Sequence, residues 1–78
     1  MENRFLDLLY MNDEFSFFYN NIQYEIVHEY KGIVSLYLMN GTRSGELIQF
    51  FNTYEELLNN GIIDGKKIKD IVHDIKLP

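Results

Sequence analysis

The 78-residue chain contains no cysteine. That excludes a disulfide scaffold, a thiolate metal site and a cysteine nucleophile. Secreted domains of this size usually rely on disulfide staples, so the absence favours a reducing, cytoplasmic setting. Long apolar runs are missing too. No stretch approaches the roughly 18 residues of a membrane helix. At the start, Met1-Glu2-Asn3-Arg4-Phe5-Leu6-Asp7, two acids flank the segment and no apolar run of signal-peptide length follows. The expectation is a cytoplasmic protein with no membrane contact. Basic residues are also scarce, seven against twelve acids, for a formal net charge of −5. A net-negative surface repels phosphate backbones, so nucleic acid is not expected as a partner, although Lys66, Lys67 and Lys69 cluster locally. A glycine-rich phosphate loop and a serine in a nucleophile elbow are absent from the sequence.

What is present is a dense apolar inventory: 46% hydrophobic and 15% aromatic, with six Phe and six Tyr. The length fits a single domain, residues 1–78, and a domain this small buries roughly 60% of the surface its unfolded chain exposes. Residues 2–11 carry Phe5, Leu8 and Leu9 at helical spacing, with Leu6 and Met11 widening the stripe, and Asn12-Asp13 punctuates. Glu14 to Tyr19 alternates as a strand. Asn20-Asn21 is a two-residue turn, because Asn tolerates positive φ. Ile22 to Tyr30 is the partner strand, which sets Tyr19 opposite Ile22, Phe17 opposite Tyr24 and Phe15 opposite Ile26.

Ile33 to Asn40 reads as a third strand. A two-residue loop would put Ser35, Tyr37 and Met39 on the core side. A three-residue loop, Tyr30-Lys31-Gly32, puts Val34, Leu36 and Leu38 there and places glycine where a left-handed residue is wanted. The second is favoured. A turn-rich loop, Asn40 to Gly45, leads to a fourth strand, Glu46 to Phe51. Its register stays open, since Leu47 with Phe51 and Ile48 with Phe50 are both credible inward pairs. Thr53-Tyr54-Glu55-Glu56 is a capping box, with the Thr53 hydroxyl accepting from the Glu56 amide and the Glu56 carboxylate reaching back to Thr53. Gly61 is expected at a left-handed stop, and Asp64 as the cap of a last helix carrying Ile68, Ile71, Val72 and Ile75. The fold class is α+β, in the order α-β-β-β-β-α-α: an antiparallel four-stranded meander with helices packed on one face.

Candidate sites are few. His73 with Asp70 at i−3, and His28 in space, would be a meagre metal set, since catalytic zinc usually takes three protein ligands. Asp64-Gly65-Lys66-Lys67 has the amides and lysines of a phosphate-binding helix start but not the rest of a phosphate loop. Asp13-Glu14 and Glu55-Glu56 are explained by turn and cap chemistry, without the cleft that acid–base catalysis needs. No catalytic, cofactor or metal residue is assigned, and the chain reads as not an enzyme. The sheet face away from the core is the remaining feature. Phe18, Val27, Ile33, Tyr37 and Met39 fall there among polar residues, either as ordinary mixed surface or as an interface. Glu25, Glu29 and Glu46 form a candidate acidic row on the same side.

Two segments, Phe51 to Leu58 as F-x-T-x-E-E-L-L and Ile63 to Ile75 as I-D-G-K-x-I-x-D-I-x-x-D-I, follow a Phe/Tyr-rich hairpin. The combination resembles a group of small bacterial and phage-type proteins of unknown function. The resemblance implies a compact α+β domain and carries no catalytic residue to transfer. The function expected is a non-catalytic interaction or adaptor domain that binds a protein, or a second copy of itself, through the exposed sheet face. The alternative is an acidic inhibitor or nucleic-acid mimic of phage or immunity type. A small enzyme or metal-binding protein comes last.

Overall fold

A computed structural model describes residues 3–11, 14–41 and 43–78, with Arg43 and Ser44 described by backbone alone. Met1, Glu2, Thr42 and Asn12-Asp13, where the sequence suggests punctuation, lie outside the described residues. Asn20 and Asn21 adopt φ of +51° and +64°. Two successive left-handed residues give the tight turn whose twist matches paired strands. They join β1, Phe15–Tyr19, to β2, Ile22–His28. Phe15 pairs with Ile26, Phe17 with Tyr24 and Tyr19 with Ile22, as the alternation predicts.

The next turn has three residues. The Glu29 amide donates to the Ile33 carbonyl at 2.7 Å and so closes Tyr30-Lys31-Gly32. Lys31 and Gly32 sit at φ of +67° and +81°. β3, Val34–Asn40, therefore pairs Val34 with His28, Leu36 with Ile26 and Leu38 with Tyr24. β4 runs from Arg43 to Phe51 and so begins before the expected Glu46. Pairing continues out to Asn40 and Arg43, which shortens the expected loop. The strands form one antiparallel sheet in the order β1-β2-β3-β4.

β4 carries two bulges. Leu36 pairs with Gln49 but Tyr37 with Leu47, so Ile48 is an extra residue. Leu38 pairs with Glu46 but Met39 with Ser44, so Gly45 is another. Glycine suits the second bulge, because a Cβ at Gly45 would stand 2.5 Å from the Leu38 carbonyl oxygen. Neither expected inward pair survives whole. Phe51, opposite Val34, packs against the core, whereas Leu47 lies opposite Tyr37 on the other face.

α1 spans Arg4–Tyr10, capped by Asn3, whose Oδ1 accepts from the Leu6 amide. Phe5 and Leu9 are buried. The Phe5 ring meets Phe17 edge-on at 5.1 Å and Phe15 at 5.6 Å, while Phe17 stacks on Tyr24 at 5.5 Å. Such pairs add about 0.5–1.5 kcal/mol each beyond the area they bury. Met11, expected on the apolar stripe, is exposed past the end of the helix.

α2 spans Tyr54–Asn60. Thr53 Oγ1 accepts from the Glu56 amide at 3.1 Å. The Glu56 carboxylate accepts from the Asn52 amide at 3.2 Å, one residue before the expected Thr53. The chain after α2 departs further from expectation. Gly61 is extended, at φ −67° and ψ 138°, and not left-handed. It is glycine for space: a Cβ there would meet the Leu57 carbonyl oxygen at 2.5 Å and Ile68 Cδ1 at 2.7 Å.

Asp64 does not cap a helix. Asp64 and Gly65, at φ of +54° and +76°, are the turn between β5, Ile62–Ile63, and β6, Lys66–Lys67. Asp-Gly with apolar residues before it is itself a hairpin signal, and a residue at positive φ cannot open a helix. α3 covers only Ile68–Ile71, followed by a 3₁₀ turn at Val72–Asp74. Ile68, Ile71 and Val72 are buried all the same. Asn20 Nδ2 donates to the Asp64 carboxylate at 3.1 Å, tying the two tight turns together. The tail closes the β1 edge, with Phe18 and Lys76 exchanging backbone bonds of 2.7 and 2.9 Å.

Phe5 and Leu9 from α1, Leu57 from α2, Ile63 from β5 and Ile68 from α3 share one core with Phe17, Ile26 and Leu36 of the sheet. Among the described residues no helix is long and apolar enough to cross a membrane. The close fit at Gly61 gives a test. Gly61→Ala should destabilise by about 1–3 kcal/mol through overpacking. Each kcal/mol should lower the melting midpoint by about 4–8 °C, read by circular dichroism. An unchanged midpoint would show that Leu57 and Ile68 move aside without cost.

Candidate functional site

With the helices on one side, cross-strand pairing defines what stands on the other. Ser16, Glu25, Tyr37 and Leu47 make one row across all four strands. Val27, Ser35 and Phe50 make a second. Glu29 and Ile33 extend the β2–β3 pairing beyond that row. Phe18, opposite Gln23, and Met39 stand toward the far end. The five residues proposed from sequence, Phe18, Val27, Ile33, Tyr37 and Met39, therefore share this open face, each half-buried.

Two further apolar residues join them. Phe50 is 62% exposed and Leu47 is 45% exposed. The sequence left both unassigned because alternation alone cannot place residues on either side of a bulge. Gly45 inside a strand pattern was the available signal for one bulge. Ile48 gave none.

The patch has a polar pin. Ser35 is fully buried although it stands opposite the helices, flanked in its row by Val27 and Phe50. Its hydroxyl donates to the Glu29 carboxylate. The Tyr37 hydroxyl donates to the same carboxylate at 3.4 Å. Glu29 itself is exposed. The Tyr37 phenol is pushed above its ordinary value, first by desolvation, then by the charge and hydrogen bond of Glu29, and then by the charge of Glu25. The Ser35 hydroxyl is closed off from solvent. The face offers exposed apolar contact and a carboxylate oriented by two hydroxyls.

The candidate acidic row does not form. Glu46 pairs with Leu38, whose side chain packs toward the core, so it stands on the helix side. The bulge at Ile48 is the cause. Without it, continuing the Leu36–Gln49 register would set Glu46 opposite Met39 and Ile48 opposite Tyr37. With it, Leu47 takes the place beside Tyr37.

The other candidates lie apart. His28 is half-buried opposite Val34, and His73 and Asp70 are exposed on the helical side. Among the described residues no three His, Asp or Glu side chains gather into a metal set. Asp64 to Lys67 form a hairpin, and Glu55 and Glu56 open α2, while Asp13 lies outside the described residues. A shallow cleft of about 340 Å³ lies between the start of α1 and the tail, lined by Arg4, Phe5, His73 and Leu77 among others. Its Asn3 is already engaged, accepting from Leu6 and donating to the Val72 carbonyl. Its Arg4 and His73 are both exposed. Comparison with protein-family models, with curated proteins and with solved structures gives no match.

The pin predicts an alkaline signature. Because the folded-state value of Tyr37 lies above the ordinary 10.0, its contribution to stability is complete below about pH 10. It is lost as pH rises through the folded value. Glu29→Gln removes one charge and weakens the bond, so the Tyr37 midpoint should fall toward 10.0, followed by ¹³C shifts of the labelled ring. An unmoved midpoint would mean that Glu29 does not face the phenol in solution.

Proposed function

We propose that the chain is a small non-catalytic interaction domain that binds a different protein through its open sheet face. The observation that carries this reading is the exposure of Phe50 and Leu47 beside Tyr37 and Val27 in the two central rows. Single exposed apolar residues are ordinary, but a contiguous aromatic and aliphatic patch rimmed by polar groups is the usual character of an interface. Phe50, Tyr37 and Leu47 are the anchors. Ser16, Gln23 and Glu25 supply part of the rim.

A second copy of the chain is the less suitable occupant. Stacking two open faces would set a face carrying Glu25 and Glu29 against one carrying the same carboxylates, on a chain that already has a net charge of −5. Like charges across an interface are costly. The nucleic-acid mimic is less suitable too, because Glu46 does not extend the row of Glu25 and Glu29. A cytoplasmic setting is part of the same reading and rests on the lack of cysteine.

The test uses immobilised protein with lysate of the source cells and mass spectrometry. A specific partner should be retained by the wild type and by Ile62→Glu, a control at an exposed position in β5. It should be lost with Phe50→Glu and with Tyr37→Glu. Retention by all four baits, or a wild type that elutes as a dimer through this face, would overturn the reading.

A further inference from the structure

We propose that the partner is cationic where it meets the end of β2: an arginine or lysine side chain is seated on the Glu29 carboxylate, its aliphatic stem lying against Phe50 and Tyr37. This rests on the open face being an interface. The argument begins with the state of Glu29. Its carboxylate accepts from Ser35 Oγ and from the Tyr37 hydroxyl. Both donors are neutral, so they orient the group without cancelling its charge. A carboxylate has about four acceptor sites, so two bonds leave room for a bidentate donor.

The described cations do not use that room. Arg4, Lys31, Lys66, Lys67, Lys69 and Lys76 are the described positive side chains, and none lies within ion-pair distance of Glu29. The surroundings suit a cation with an apolar stem. Phe50 stands directly across from Ser35, and Tyr37 binds the carboxylate itself. Aromatic faces attract a guanidinium and cover its methylenes. Desolvation first, and then the charges of Glu29 and Glu25, hold the proton on the Tyr37 phenol. A carboxylate fixed in advance also costs less side-chain entropy on binding than a free one. The recognised chemistry is therefore an apolar segment bearing Arg or Lys. Acidic or purely apolar segments do not match it.

The test is an NMR titration of the ¹⁵N-labelled protein with a short peptide alternating leucine and arginine. The reference peptide has glutamine in place of arginine. Amide shifts at Glu29, Ser35, Tyr37 and Phe50 should saturate with the arginine peptide. Affinity should fall about fivefold with the glutamine peptide, and by a similar factor with Glu29→Gln, the upper range for an exposed ion pair. Added salt should weaken binding as well. Should Glu29→Gln fail to fold, the peptide comparison on wild-type protein decides alone. Equal binding of both peptides at the face would overturn the cationic inference and leave the interaction reading standing. Shifts centred on Asp70 and Asp74 would show general charge attraction and overturn it. Shifts at the face that grow with protein concentration alone would identify a second copy and overturn both. Binding of neither peptide would overturn the inference, while the Phe50→Glu bait judges the interaction reading separately.

Discussion

Side chains alternate along a strand, so the turn before β3 decides which half of that strand enters the core. Closing Tyr30-Lys31-Gly32 as three residues puts Val34, Leu36 and Leu38 under the helices and turns Ser35, Tyr37 and Met39 outward. A slip of one residue would exchange the two sets. Lys31 and Gly32, both left-handed, hold the turn at this length. The same constraint therefore sets the core and the open face. Phe5, Leu9, Leu57 and Ile68 pack against Leu36 and Ile26 because those side chains point their way. Tyr37 can reach Glu29 because it points the other way.

An open sheet has two edges, and local devices close each only in part. At β1 the tail supplies Lys76, whose backbone exchanges two bonds with Phe18. From β4 the Gln49 side chain reaches out: Nε2 donates to the Ile62 carbonyl and Oε1 accepts from the Ile62 amide. Both bonds run to the small β5–β6 sheet, which is locked to the first hairpin through Asn20 and Asp64. The two bulges twist β4 further from an open ladder. The edges are thus partly closed by local devices, whereas nothing among the described elements lies over Phe50 and Leu47.

Much of this was legible in the residues, and the reason is local. Strands joined by short turns have few registers, and apolar pairing selects among them, so the two hairpins and their partners followed from alternation and turn chemistry. Thr53 announced α2 by capping alone. The misreadings came where two local signals compete. Asp64-Gly65 fits both a helix cap and a hairpin turn, and isoleucines at helical spacing favoured the first. Tertiary context chose the second, since Asp64 at positive φ can bind Asn20 while Ile63 and Ile68 still enter the core. Gly61 looks like a backbone requirement in the sequence but is a packing requirement, which depends on where Ile68 sits and so is invisible in sequence.

The open face shows how one irregularity can change the kind of partner a surface fits. Along a regular β4, Glu46 would stand opposite Met39, and Glu25, Glu29 and Glu46 would give the face three carboxylates. The extra residue at Ile48 moves Glu46 to the helix side and brings Leu47 to Tyr37. One acid leaves the face and a leucine stands beside Tyr37. What remains is an apolar strip, Val27, Tyr37, Leu47 and Phe50, with Glu29 held at its end by Ser35 and Tyr37. A three-acid row would favour a partner with a broad basic surface whose binding collapses in salt. An apolar strip with one oriented carboxylate favours a partner that brings apolar area for affinity and a single cation for register.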